Sequence, residues 1–459
     1  MYIALIIVLS ILPTLIVFLA VRLEPRTDAT SPLKVLGWTL LLGYTPKSLY
    51  IAYALSAGLP FRSEHISRDI IHVGQLAILL GTFAFIIGYV WYQSMARHRT
   101  SRIAIPARAM IDPRLIYVPF LVVSAGLMAA YFVKMGFYDQ LVTGSFSAAR
   151  VFISERSGAS SALGFLLIGG DFIVVIAIYH YIFTRRWQFL NVYTGLLIFT
   201  GLCYFLSSHR SGVLIMVILF FLIIGIRGIQ FRKALKPKHF VMLGVAVALL
   251  SFASQIREGQ RRGAIYQQLS LATSIEVSFQ HAMQGAYFLD PAKTAAIIDR
   301  VSEKEEYLNG QSYALFLFAP IPRLLWPDKP SIRLGPYVAQ DLLELGTNSG
   351  IPPSSIGEFY MNFGWLGVVL GMALLGAFAG RVWDRARRAE DRRFARGPFA
   401  LNMMCIILLL VGDFSHTMLT LIKYQIAIWI CERYWRRKID PPTSAVGAAP
   451  DLVPKAMPG

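Results

Sequence analysis

Charge and cysteine are what this chain has least of. Charged residues make up 15% of its 459 positions, against about one quarter in soluble proteins. Three cysteines occur, Cys203, Cys405 and Cys431, scattered and each inside an apolar run. Neither a disulfide framework nor a cysteine-held metal can be built from them. The chain also lacks a Walker-type phosphate loop, a Gly-rich dinucleotide motif, a paired-Asp motif and zinc-ligand spacing. These absences exclude the common nucleotide-driven and metal-dependent chemistries, and no cofactor is expected.

What is present is apolar sequence. Hydrophobic residues make up 56%, mean hydropathy is +0.55, and uncharged stretches of about 18 residues or more recur. The fold class is therefore all-α, a polytopic integral membrane protein. The first stretch, Tyr2 to Val21, has no basic leader and no small-residue cleavage site, and reads as a retained span. The net charge of +18 does not point to nucleic acid, because the basic residues cluster at span ends, as cytoplasmic loops require. The basic segments are Met95 to Arg114, Thr184 to Trp187, Arg227 to Lys238, Arg381 to Arg396 and Arg433 to Lys438. Counting between them predicts eleven spans: 2–22, 34–56, 70–93, 115–135, 162–183, 189–207, 212–227, 239–254, 361–380, 398–417 and 419–435. The alternation closes with the N-terminus outside and the C-terminus inside.

The expected organisation is a bundle of eight spans over 1–254, a long outer loop over 255–360, three spans over 361–438, and a Pro/Ala/Gly-rich disordered tail over 439–459. A loop of that length without linker composition is usually functional. Within it, Tyr266 to Arg300 has helical periodicity interrupted by Pro291, with Ala292 to Val301 resuming. Pro320, Pro322, Pro327 and Pro330 then forbid regular helix and stiffen the segment.

The outward side carries cations that the topology rule does not explain. Arg210, beside His209 in a turn of serines between two spans, suits a phosphate or diphosphate because its planar fork donates bidentately; snorkelling to lipid phosphates is the plainer alternative. Arg257 and Arg261 stand one helical turn apart and suit the same ligand, or simply cap the eighth span. Arg323 sits on the proline-stiffened loop, free for substrate or paired with Asp328. Glu358 opens the ninth span near Tyr360; it is a candidate general base, or a helix-start carboxylate favoured by the dipole. His281 is a weaker base candidate, and His416 weaker still. Lys47 and Asp171 fall near mid-span and are a possible buried pair. A transporter would show more such charges and a pseudo-repeat.

Three segments carry a family resemblance. They are the Ser208-His-Arg-Ser-Gly212 turn, the loop Pro320-Ile-Pro-Arg-Leu-Leu-Trp-Pro-Asp-Lys-Pro330, and Gly357-Glu-Phe-Tyr-Met-Asn-Phe-Gly-Trp-Leu-Gly367. Together, over Leu206 to Gly380, they resemble the O-antigen polymerase (Wzy-type oligosaccharide repeat unit polymerase) family. The resemblance implies a glycosyltransferase of the bacterial inner membrane, related in architecture (GT-C-like) to the O-antigen ligases. It would polymerise undecaprenyl-diphosphate-linked oligosaccharide units at the periplasmic face, without metal and with inversion, among membrane lipids and beside a chain-length regulator and a flippase. In that scheme Arg210 with Arg257 or Arg261 holds the diphosphate, Arg323 binds phosphate or sugar, and His209 and Tyr360 complete the substrate contacts. Glu358, or His281, takes the acceptor proton. Ligases carry a His-Asn pair where this chain has Pro352-Pro-Ser-Ser355, which favours polymerase over transfer of a finished glycan to a lipid or protein.

Overall fold

The structure is a computed structural model that describes residues 2–22, 24, 31–59, 68–97, 114–136, 138, 166–184, 191–206, 283, 289–318, 321, 325–326, 329–331, 333–344, 350–389 and 392–439. These residues are helical or irregular, with no strand among them. In chain order the helices are α1 (Tyr2–Arg22), α2 (Pro32–Thr39), α3 (Thr45–Ser56), α4 (Ile71–Ala96), α5 (Arg114–Lys134), α6 (Ile168–Thr184) and α7 (Val192–Leu206). After them come α8 (Pro291–Lys304), the single turns α9 (Gln311–Ala314) and α10 (Leu334–Tyr337), then α11 (Ser354–Arg388), α12 (Arg392–Val411) and α13 (Phe414–Ile439). Among the described residues, five helices are long and apolar enough to span a bilayer, namely α1, α4, α5, α11 and α12, with α6 and α7 shorter apolar helices. This is a multi-pass membrane protein. The seventh and eighth expected spans, 212–227 and 239–254, lie outside the described residues.

Proline decides local structure in the first helices. Pro13 lies inside α1 and has no N–H to donate to the Leu9 carbonyl. The Tyr44 hydroxyl donates to that carbonyl instead, at 2.8 Å, so no backbone acceptor is left unpaired in an apolar setting. Tyr44 ends a π-turn, Leu40–Tyr44, which joins α2 to α3 immediately before Pro46. The widened turn absorbs the register change that Pro46 imposes. Ser10, Ser48 and Gln75 then form a buried polar seam between α1, α3 and α4.

The most extensive contact is between α4 and α11, and glycine sets its distance. A Cβ at Gly88 would lie 1.9 Å from the Ala373 carbonyl oxygen, and one at Gly376 would lie 2.0 Å from that of Phe85. Backbones this close gain packing that larger side chains would prevent. α8 lies against both helices. The expected resumption of helix over Ala292 to Val301 is present as α8, whereas most of the helix expected before Pro291 lies outside the described residues. On the other side, α6 packs against α5, α7 and α13.

Two boundaries differ from expectation. The last two spans are separated at Gly412–Asp413 rather than at Met418, so the Phe414–His416 segment belongs to α13. Asp413 supplies the reason: its Oδ1 accepts from the His416 N–H at 2.8 Å, an N-cap that starts a helix wherever it stands. The ninth expected span begins earlier, at Ser354, and is broken at Phe363 (φ −143°, ψ 19°) and Gly364 (φ 62°, ψ −150°). The break frees the Met361 carbonyl to accept the Leu308 N–H at 2.8 Å, which docks the preceding loop onto the helix. The Gly364 angles are open in practice to glycine alone. Gly364→Ala is therefore expected to lower stability by about 1–3 kcal/mol, read as a lower melting temperature in detergent.

Candidate functional site

The break in α11 divides it into a short N-terminal piece carrying Glu358 and Asn362 and a long apolar remainder. Four residues apart, these two side chains share one helix face. Against that face come α9 and the start of α13. Glu358 is 1% exposed. Its Oε1 accepts from the Ser312 hydroxyl at 2.8 Å and its Oε2 from the Phe414 N–H at 2.7 Å. Asn362 Nδ2 donates to Ser312 Oγ and to the Glu358 carbonyl, both at 2.8 Å, while its Oδ1 accepts the Gly310 N–H. The Ser415 hydroxyl donates to the Ser312 carbonyl at 2.6 Å, and the Ser355 hydroxyl to that of Leu409. One carboxylate and one amide thus join the loop after α8, the head of α11 and the α12–α13 turn.

Asp413 stands beside this cluster. Burial raises its carboxyl above the ordinary range, while the His416 N–H and the nearby Arg333 guanidinium pull it down. Arg333 is exposed and begins α10. Tyr313, Phe359, Phe363 and Phe414 pack round the cluster with ring centroids 5.0 to 6.3 Å from Tyr313. The arrangement is a buried carboxylate under an aromatic cover, beside a second buried carboxyl group, Asp413.

A protein-family model for the O-antigen polysaccharide polymerase Wzy matches residues 36–431. The chain belongs to the Wzy family. The match runs through both halves of the helical bundle and through every residue of the Glu358 cluster. Wzy proteins polymerise O-antigen repeat units, so the chain is a glycosyltransferase-like polymerase acting on lipid-linked oligosaccharide units in a membrane. No solved structure matches the chain.

Of the residues expected at a Wzy site, Glu358 and Tyr360 are described and point apart. Two positions along a helix place them on opposite faces. Tyr360 is 3% exposed, its hydroxyl is 2.8 Å from that of Ser302 in α8, and its ring meets Trp365 edge-on. His209, Arg210, Arg257, Arg261, His281 and Arg323 lie outside the described residues. Sequence reasoning passed over Ser312, Asn362 and Asp413 as site residues. Asn362 was legible as the i+4 neighbour of Glu358, and Asp413 as a cap after Gly412. Ser312 carried no signal.

The pair expected between Lys47 and Asp171 does not form. Lys47 Nζ lies 2.7 Å from Asp290 Oδ2, with both side chains buried, and Asp171 instead meets Lys423 at 2.6 Å and the hydroxyls of Tyr204 and Tyr424. The reason is packing: α3 lies against α1, while α6 lies against α7 and α13. Asp290 is also the N-cap of α8, accepting from the Ala292 and Lys293 N–H groups ahead of Pro291. Lys293 joins this cluster and donates to the Pro352 carbonyl at 2.8 Å, just before the head of α11.

Burial is the main cause that lowers Lys293 from 10.5 to about 7; Asp290 opposes it and Lys47 adds to it. Between these values the unfolded chain holds a proton that the folded chain has released. Stability therefore rises with pH across that window, by at most about 1.4 kcal/mol per pH unit. Thermal denaturation in detergent from neutral pH to about pH 10 should show this rise, and Lys293→Met should flatten it.

Proposed function

We propose that this Wzy-family chain polymerises undecaprenyl-diphosphate-linked oligosaccharide units at the periplasmic face of a bacterial inner membrane, by metal-independent, inverting transfer. The observation that carries the reading is the family match, whose range of residues 36–431 takes in the Glu358 cluster. The placement is supported by charge. Arg387, Arg388, Arg433 and Arg436 gather at the end of the bundle opposite Glu358, as cytoplasmic termini do. This charge supports a cytoplasmic C-terminus, and the proposed span alternation adds a periplasmic N-terminus. The lack of metal-binding spacing and paired-Asp motifs in the sequence supports cation side chains in place of a metal.

In this scheme the non-reducing sugar of an incoming unit attacks the anomeric carbon of the growing chain. The new glycosidic C–O bond forms as the bond to the diphosphate breaks, the electron pair leaves with the lipid diphosphate, and configuration inverts. Arg210 with Arg257 or Arg261 stabilises the departing charge, and Arg323 and His209 hold substrate; Tyr360, expected as a further substrate contact, is buried against Ser302 and Trp365. Glu358 takes the acceptor proton, with His281 the alternative base. Each Glu358 oxygen accepts one hydrogen bond, from Ser312 or from the Phe414 N–H, and keeps a further lone pair for the acceptor proton. A chain-length regulator and a flippase are the proposed partners.

The test uses purified protein in nanodiscs with a lipid-diphosphate-linked repeat unit and EDTA. A ladder of products that survives EDTA and vanishes with Arg210→Ala is expected. A single product needing a second acceptor would indicate a ligase, and movement of the lipid between leaflets without covalent change would indicate a transporter.

A further inference from the structure

The hydrogen bonds around Glu358 have only one consistent direction, and backbone groups at both ends set it. The Gly310 N–H can only donate, so the Asn362 atom it meets is the amide oxygen. Asn362 Nδ2 is then turned toward Ser312 Oγ, which accepts from it at 2.8 Å. A serine hydroxyl has a single proton, and with Asn362 donating to it that proton goes to Glu358 Oε1. At the other oxygen the Phe414 N–H also can only donate. Among the described residues, both groups hydrogen-bonded to the carboxylate therefore present a proton to it. Ser312 is 2% exposed, Asn362 0% and Glu358 1%, so the cluster is closed to bulk solvent.

Donors aimed at both oxygens favour the charged form of a carboxyl group, while burial and nearby negative charge oppose it. The other titratable and charged groups facing it are few. Asp413 lies beside it at the head of α13 with Arg333 beyond, and His416 follows in the same turn. Tyr313 faces it from α9, and Lys293 of α8 donates to the Pro352 carbonyl. No lysine or arginine is paired with Glu358 among the described residues. Ser312, Asn362 and the helix start at Phe414 are what hold it ready to accept a proton.

We propose that Ser312 and Asn362 are positioning residues of the polymerase reaction, acting through Glu358 by keeping its carboxylate oriented as an acceptor. The proposal rests on the reading that Glu358 is the base. It also gives the loop after α8 a task in the chemistry, since Leu308 N–H and Gly310 N–H dock that loop on Met361 and Asn362 and Ser415 holds the Ser312 carbonyl.

The experiment measures initial rates of repeat-unit polymerisation in nanodiscs across about pH 5 to 9 for the parent chain, Ser312→Ala, Ser312→Thr, Asn362→Asp and Glu358→Gln, each normalised to folded protein. Ser312→Ala is expected to move the acid limb of the profile up by about one pH unit, lowering kcat roughly tenfold on that limb with KM for the lipid-linked unit unchanged. Ser312→Thr, which retains the hydroxyl, restores the profile. Asn362→Asp keeps the shape but removes the donor and adds a like charge, so it moves the limb in the same direction; it stands as the second variant should Ser312→Ala fold poorly. An acid limb that stays in place in both variants, with activity lost only in proportion to folded protein, overturns the positioning role. A Glu358→Gln chain that still polymerises at the parent rate overturns the base reading itself, and the positioning role with it. An inactive Glu358→Gln beside an unmoved Ser312→Ala profile overturns the positioning role alone.

Discussion

Glu358→Ala is expected to cost about 3–5 kcal/mol and to abolish polymerisation, because it removes the one side chain that three segments share. The Ser312 hydroxyl and the Phe414 N–H would each be left buried without an acceptor, at about 1–3 kcal/mol apiece, with a cavity term added. Lost stability alone would explain an inactive alanine variant, so the informative partner is Glu358→Gln. Glutamine has the same shape. Its oxygen can accept the Phe414 N–H, and its amide can donate to Ser312 Oγ, whose second lone pair is available. That variant should melt within a few degrees of the parent, at a cost of about 1–2 kcal/mol, yet produce no ladder, because an amide cannot take the acceptor proton. Melting curves in detergent beside the product gel separate the two effects. A folded Glu358→Gln chain that still makes polymer would leave Glu358 as a clasp between segments and nothing more.

The second large effect is expected at Lys47. Its ion pair with Asp290 is buried, with side-chain exposures of 3% and 6%. Removing one partner of such a pair leaves an uncompensated charge and costs about 3–5 kcal/mol. Lys47→Met should therefore lower the melting temperature sharply. Replacing both groups is often far milder than replacing one. Asn at 290 would still cap α8, so Lys47→Met with Asp290→Asn should recover much of the loss. A double variant no more stable than Lys47→Met alone would show that the pair is uncoupled. The loss should reach activity as well, since Asp290 starts α8 and Lys293 ties it to Pro352 just ahead of Ser354 and Glu358.

The sequence alone determined the class of this protein and much of its family. Long uncharged runs have no stable home in water, and a lone strand has none in lipid, so multi-pass helical architecture follows from composition. Family membership was legible in the Pro320–Pro330 loop and in Gly357–Gly367, where prolines, a tryptophan and a carboxylate stand in fixed order. Glu358 was legible too, as a carboxylate at the mouth of a span. Its i+4 neighbour Asn362 and the Gly412–Asp413 stop-and-start signal were within reach of local rules, since caps and helix faces act over a few residues.

Tertiary structure decided the partners. Ser312 meets Glu358 across 46 positions and Lys423 meets Asp171 across 252, and no periodicity reports contacts at such separations. Lys47 and Asp171 looked alike in sequence because each is a charge in an apolar run. Which opposite charge each one finds depends on which helices touch, and close glycine-to-backbone approaches such as Gly74 on Pro291 of α8 and Gly169 of α6 on Ser124 of α5 help to set that. A buried charge must be matched wherever packing leaves it. Composition therefore announces that pairs exist, and only the packed bundle says between whom.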